Sequence, residues 1–174
     1  MNGCHSGFAG IPANLSEGLQ ILINEHIPLR SSLEALSSLG NKVKDVEEKL
    51  SVFNQLVGEV KEFNENLSRH SAREEDYLFR MMEKYLGKSG GPIAVMEYEH
   101  ERAHGFINEF LKNTEGNSTQ TNDDMLNNSD LIKNAVDTLL EHFSKEEQVL
   151  YPMAERMFTD EEKELLKEKV VVKE

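Results

Sequence analysis

Four stretches of this chain carry an apolar residue every three or four positions, and each run is broken near its middle by histidine. The first is Leu15, Leu19, Leu22, His26, Leu29, Leu33, Leu36. The second is Val60, Phe63, Leu67, His70, Glu74, Tyr77, Met81, and the third Ile93, Met96, His100, His104, Ile107, Leu111. The fourth is Ile132, Val136, Leu139, His142, Glu146, Leu150, Met153. Steps of three and four mark one face of an α-helix. Five of the six histidines and two glutamates therefore sit where leucines would form a core. Burying them without partners would cost roughly 2–7 kcal/mol for each group, against a net domain stability of roughly 5–15 kcal/mol. A single histidine on such a stripe is ordinarily a hydrogen-bonded core residue. Five of them with two carboxylates, converging on one layer, are the ligand inventory of a metal site.

Helix signals frame the stripes. Asn14-x-x-Glu17 reads as a capping box opening the first helix, and Gly40 as its C′ residue. Leu86 and Gly87 close the second helix. Pro92 in "GGPIAV" opens the third, at a first-turn position where its missing N–H costs nothing. "NNSDLIK" opens the fourth after the link "NTEGNSTQTNDD", rich in Asn, Ser and Thr. Thr159-x-x-Glu162 caps a short acidic-then-basic helix. Residues 41–57 are amphipathic and either protrude beyond the others or turn at Gly58. No strand is expected. The expected architecture is an all-α, up-and-down four-helix bundle over residues 14–158. A flexible tail, 1–13, precedes it, and a short extra C-terminal helix and tail, 159–174, follow.

The balance of 19 Lys+Arg against 32 Asp+Glu gives a net charge of −13, which repels nucleic acid and anionic membrane surfaces. No run approaches membrane-spanning length and no signal sequence is read, so a cytoplasmic protein is expected. One cysteine, Cys4, excludes an internal disulfide framework; with His5 it is expected to be inert on the N-terminal tail.

Residues at i and i+4 share a helix face. His70/Glu74, His100/His104 and His142/Glu146 thus each aim two donors at one point, and His26 adds one more. Glu75 and Glu147, one position further on, fit a solvated face. Glu25, Glu99 and Glu141 each precede a histidine of the stripe and serve either to orient an imidazole N–H or as surface charge. Tyr77 and Tyr151 are expected to pack. Imidazole-rich ligation suits a transition metal. Seven ligands exceed the needs of one ion, and two ions sharing both carboxylates would use them. "HERAH", residues 100–104, also matches the H-E-x-x-H zinc helix, but lacks a third ligand in the metzincin pattern and leaves His26, His70 and His142 unexplained. A ferritin-like site needs two Glu-x-x-His motifs, and Glu97-x-x-His100 has no second copy.

Taken in order, Glu25-His26, "HSAREEDYLF", "EHERAH" and "HFSKEEQVLYP" resemble the hemerythrins and hemerythrin-like HHE cation-binding proteins, over Leu15 to Phe158. The resemblance implies a non-haem centre of two iron ions with an oxo or hydroxo bridge. His100, His104 and His142 would hold one iron, His26 and His70 the other, and Glu74 and Glu146 would bridge. The less-coordinated iron would take dioxygen or nitric oxide. Hemerythrins proper place the last bridging carboxylate five residues after its histidine, which would select Glu147. The spacing here looks more like that of the bacterial iron–sulfur repair proteins of the superfamily. Those usually carry an additional cysteine-bearing N-terminal domain and lack a histidine at the position of His104. The expected function is binding, storage or sensing of dioxygen or nitric oxide, by a metal-dependent ligand-binding protein rather than an enzyme, with a reductase or protein partner not identified. The alternatives are a stress protein acting on peroxide or in iron–sulfur cluster repair, and a zinc metallohydrolase using "HERAH". The doubled His-x-x-x-Glu-Glu phrase implies a helix pair duplicated about a pseudo-twofold axis, with Arg30 standing where the second copy has His104.

Overall fold

Four helical rods joined by short connections form the body of the molecule, which a computed structural model describes over residues 14–116 and 120–171. The expected tail with Cys4 and His5 lies outside the described residues. The first rod is α1 (Glu17–Asp45). The second runs through α2 (Lys49–Arg73), a π-helical segment (Glu74–Phe79) and α3 (Arg80–Leu86). The third is α4 (Gly91–Asn113). The fourth joins α5 (Asn122–Lys145), a second π-helical segment (Glu146–Leu150) and α6 (Tyr151–Met157). A short α7 (Asp160–Val170) folds back on α1. Among the described residues there is no strand, and no helix is long and apolar enough to cross a membrane. This is the all-α bundle the stripes imply.

The polar layer divides the core in two. On one side Leu29, Leu33, Leu36, Phe63, Leu67, Ile107, Phe110, Ile132 and Leu139 pack together; on the other lie Leu19, Leu22, Leu78, Phe79, Ile93, Leu150, Tyr151, Leu166 and Val170. Each half excludes water from the layer between them.

Several boundaries differ from expectation, each for a local reason. α1 begins after Ser16 without a side-chain cap; instead the Ser16 backbone N–H donates to Glu155 Oε2 at 2.7 Å, so a carboxylate from α6 replaces the expected Asn14 box. Gly40 does not end the helix. It is buried inside α1, and Val43 continues the apolar stripe. The end comes at Asp45, where Lys49 Nζ donates to the carbonyls of Val43 (2.9 Å), Lys44 (3.2 Å) and Val46 (2.8 Å), satisfying acceptors that the helix leaves open. α2 then runs straight through Gly58. Residues 41–57 neither protrude nor turn there: Val43, Phe53 and Leu56 join Phe110 and Met125 and lengthen the bundle. α5 starts before "NNSDLIK", capped reciprocally by Thr121 and Asp124; aspartate at the third position makes this box harder to read than the usual Glu or Gln. The Thr159/Glu162 box is present as expected.

The π-helical segments explain where the stripes slip. Their i→i+5 bonding inserts an additional residue into the turn, which shifts the buried face by one position. Leu78 and Phe79 are therefore fully buried while Tyr77 is only partly so, and Tyr151 is fully buried while Met153 is not.

Candidate metal centre

Two groups of side chains meet in the polar layer. One contains His26, His70, Glu74 and Glu146, the other Glu74, His100, His142 and Glu146, with one donor atom from each residue within 4.8 Å of all the others in its group. Glu74 and Glu146 belong to both. All six residues are at most 2% exposed. His26 Nε2 lies 3.1 Å from His70 Nε2 and 3.3 Å from Glu146 Oε2. His142 Nε2 lies 3.0 Å from Glu146 Oε1, and Glu74 Oε2 is 3.3 Å from His70 Nε2 and 3.4 Å from His100 Nε2. Donors bound about 2.0–2.2 Å from one ion stand roughly 3 Å apart across an octahedral edge, so these separations fit a shared cation. The buried atoms without a hydrogen-bond partner point the same way: Glu74 Oε2, both Glu146 oxygens, His100 Nε2 and His142 Nε2. Five orphaned donor atoms in one layer are what metal ions would satisfy.

Each imidazole is held from behind by a carboxylate of a neighbouring rod. Glu25 Oε2 accepts from His70 Nδ1 at 2.8 Å, Glu75 Oε1 from His100 Nδ1 at 2.7 Å, Glu99 Oε2 from His142 Nδ1 at 3.1 Å, and Glu147 Oε1 from His26 Nδ1 at 2.8 Å. The four contacts close a ring around the bundle. They fix each proton on Nδ1 and leave Nε2 facing inward. Glu25 and Glu99 thus orient the next rod's histidine, not the one beside them in sequence, and Glu141 is exposed. Glu75 and Glu147 are not solvated charges as expected; they are half-buried members of the ring. Basic groups clamp it from outside: Arg73 holds Glu25 at 2.7 Å, Arg30 holds Glu147 at 3.1 Å, and Lys145 holds Glu99.

Of the seven residues the sequence singles out, the structure brings six together. His104 is half-buried outside both groups, its Nε2 bonded to Ser71 Oγ at 3.3 Å. The two histidines of "HERAH" therefore do not converge, and Glu97 is tied up with Arg80. Tyr151 is the residue that sequence reasoning misplaced. Its hydroxyl donates to Glu74 Oε1 and lies 3.2 Å from His26 Nε2. The only signal was its place in the doubled phrase.

The electrostatics follow from the crowding of carboxylates. Burial opposes protonation of His26, but Glu146, Glu147 and Glu74 outweigh it and raise its pKa to about 9. His100 rises to about 10 in the same way, against burial, through Glu74 and Glu75. His142 is also raised, burial being overcome by Glu146. Burial opposes ionisation of Glu146, yet His142 and His26 hold its pKa well below the usual range. His104 is lowered by burial and by the nearby His100. The buried carboxylates thus favour positive charge on the imidazoles that face them, the same preference that a bound cation would meet.

Comparison with known proteins agrees with this geometry. The family model for the hemerythrin HHE cation binding domain matches residues 17–154. The iron–sulfur cluster repair protein YtfE of Escherichia coli and that of Escherichia fergusonii are each 36% identical over 142 residues, covering 77% of this chain and 63% of theirs. The chain spans less than two thirds of the length of these relatives. No solved structure matches it significantly.

Proposed function

We propose, from the premise that the chain belongs to the hemerythrin HHE cation-binding domain family, that it is a non-haem di-iron protein of the stress response, working in iron–sulfur cluster repair. His26 and His70 would hold one iron, His100 and His142 the other, and Glu74 and Glu146 would serve both. The observation that carries this reading is the near-symmetry of the two groups, each of two imidazoles with the same two carboxylates. His104 would add a third imidazole to the His100/His142 side only by leaving Ser71. The role in repair is the one named for the 36%-identical relatives.

Iron, when bound, supplies redox cycling and affinity for small diatomic ligands. The rest is the work of the chain. The carboxylate ring orients four imidazoles, the two apolar halves of the core keep bulk water out, and Glu74 and Glu146 offset the cationic charge. Glu25, Glu75 and Glu147 remain partly exposed at 22%, 39% and 23%, so the outer shell of the centre can be reached from solvent. That suits a protein that yields metal as well as one that keeps it. An electron donor and a cytoplasmic setting belong to the same proposal.

The reading as a binder or sensor of dioxygen or nitric oxide is favoured by one feature, the Tyr151 hydroxyl inside the centre. Protein purified without chelator separates the possibilities. Two irons per chain, with recovery of activity in an iron-depleted iron–sulfur enzyme on mixing, is the expected result. An oxygenated form that reverses on evacuation would instead mark a carrier, and zinc without iron would overturn the di-iron reading.

A further inference from the structure

We infer that Tyr151 is a positioning residue that makes the two metal positions chemically unequal, the His26/His70 position being the tighter. This rests on the two-metal reading above and deepens it. The duplicated phrase relates His70-Glu74-Glu75 to His142-Glu146-Glu147, and the ninth residue after each histidine is Phe79 in one copy and Tyr151 in the other. Both rings are fully buried. Each stacks on an imidazole at the same distance: Tyr151 on His26 at 5.6 Å and 28°, Phe79 on His100 at 5.6 Å and 26°. The packing role is thus filled equally by a phenyl ring, and at this pair of positions one oxygen distinguishes the two copies.

That oxygen changes how the shared carboxylates are presented. The hydroxyl donates to Glu74 Oε1 and lies beside His26 Nε2. Glu74 is therefore left with one unpartnered oxygen, whereas both oxygens of Glu146 are unpartnered. Glu146 turns Oε2 towards His26 (3.3 Å) and Oε1 towards His142 (3.0 Å), one oxygen for each side. Glu74 instead sets Oε2 almost equidistant from His70 (3.3 Å) and His100 (3.4 Å), with Oε1 tied by the phenol. A donor that fixes a ligating carboxylate raises metal affinity, and removing such a partner typically costs about 10–100-fold. The donor stands on the His26/His70 side. On the opposite side the equivalent ring, Phe79, has no hydroxyl to donate, and His104 is held on Ser71 Oγ, so that position fills last and empties first.

Chelator-stripped full-length protein, titrated anaerobically with cobalt(II) and followed by the metal's visible absorption, tests this. Wild-type protein should take up two ions in two steps separated about 10–100-fold in affinity. In Tyr151→Phe the steps should draw together. In the exchange variant Tyr151→Phe/Phe79→Tyr, which keeps one buried phenol, the order should reverse. Adding His100→Ala then removes the weaker step in the wild-type background and the tighter one in the exchanged background. Two ions bound in one step, or steps equally far apart in wild type and Tyr151→Phe, would overturn the inference while leaving the two-metal reading intact. Failure of the wild-type protein to bind two ions would overturn that reading itself.

Discussion

Glu146 and Glu147 are adjacent in the chain and opposite in their roles. The first is fully buried with both oxygens facing the centre; the second reaches outward to His26 Nδ1 and Arg30. Glu146→Ala is expected to lose metal, measured as metal per chain after gel filtration. Glu147→Ala should keep the stoichiometry but weaken affinity about 10–100-fold, as loss of an orienting partner does; equal metal loss in both would contradict the geometry. The protonation of these groups predicts pH behaviour. In the metal-free protein His26 and His100 titrate near 9 and 10, above the ordinary 6.5. Their stabilising contribution is then complete below about 6.5 and is lost as pH rises through 9 to 10. Glu146 lies below its ordinary 4.5, so its contribution is present above about 4.5 and is lost as pH falls towards its depressed pKa. Metal-free protein should therefore melt at progressively lower temperature between pH 6.5 and 10. Because metal must displace the protons on His26 and His100, uptake at pH 7 should release at least two protons per chain, read with an indicator dye in weak buffer. Residue types and spacing made Glu74 and Glu146 legible. The outward roles of Glu75 and Glu147 were not, because their partners come from other rods.

Among the elements, three glycines of helices that look alike in sequence differ in what surrounds them. A Cβ at Gly18 would stand 2.8 Å from Lys167 N and 3.0 Å from Leu166 Cγ, in the backbone and side chain of α7. At Gly40 the nearest atom is the Ser129 carbonyl oxygen at 3.9 Å, and at Gly58 nothing lies within 4 Å. Gly18→Ala is expected to push α7 away and cost about 1–3 kcal/mol. Gly58→Ala should stabilise by about 0.5–1 kcal/mol through helix propensity alone. Denaturant melts of the two variants check both, and a Gly18→Ala protein as stable as wild type would contradict the α1–α7 contact. Sequence marked Gly40 as a helix end because glycine commonly serves there. Lys49 and the continuing apolar stripe decided otherwise. The π-helical turns were equally hidden, since the stripe through Glu74 and Tyr77 reads as unbroken α-helix; the burial of Leu78 and Phe79 in place of Tyr77 reveals the additional residue.

At the scale of the molecule, the bundle places charged and polar groups in the middle of its core and depends on something to satisfy them. Metal that binds only the folded chain adds stability by mass action, about 2.7 kcal/mol at a hundredfold excess over Kd. Chelation should therefore lower the melting temperature by roughly 5–10 °C for a domain of this size, with calorimetry as the measurement; no shift would mean that the layer is satisfied without metal. The sequence by itself determined the helical class, the four-rod count, the placement of His26, His70, Glu74, His100, His142 and Glu146 on buried faces, and the doubled His-x-x-x-Glu-Glu phrase. All of these follow from local spacing, which the 3.6-residue period converts directly into facing. Tertiary structure alone decided that His104 stays outside both ligand groups, that Glu25, Glu75, Glu99 and Glu147 close a ring, and that Tyr151 rather than Tyr77 reaches the centre. Those outcomes depend on how rods lie beside one another and on a phase shift within two of them, and neither quantity is carried by the spacing of residues along a single helix.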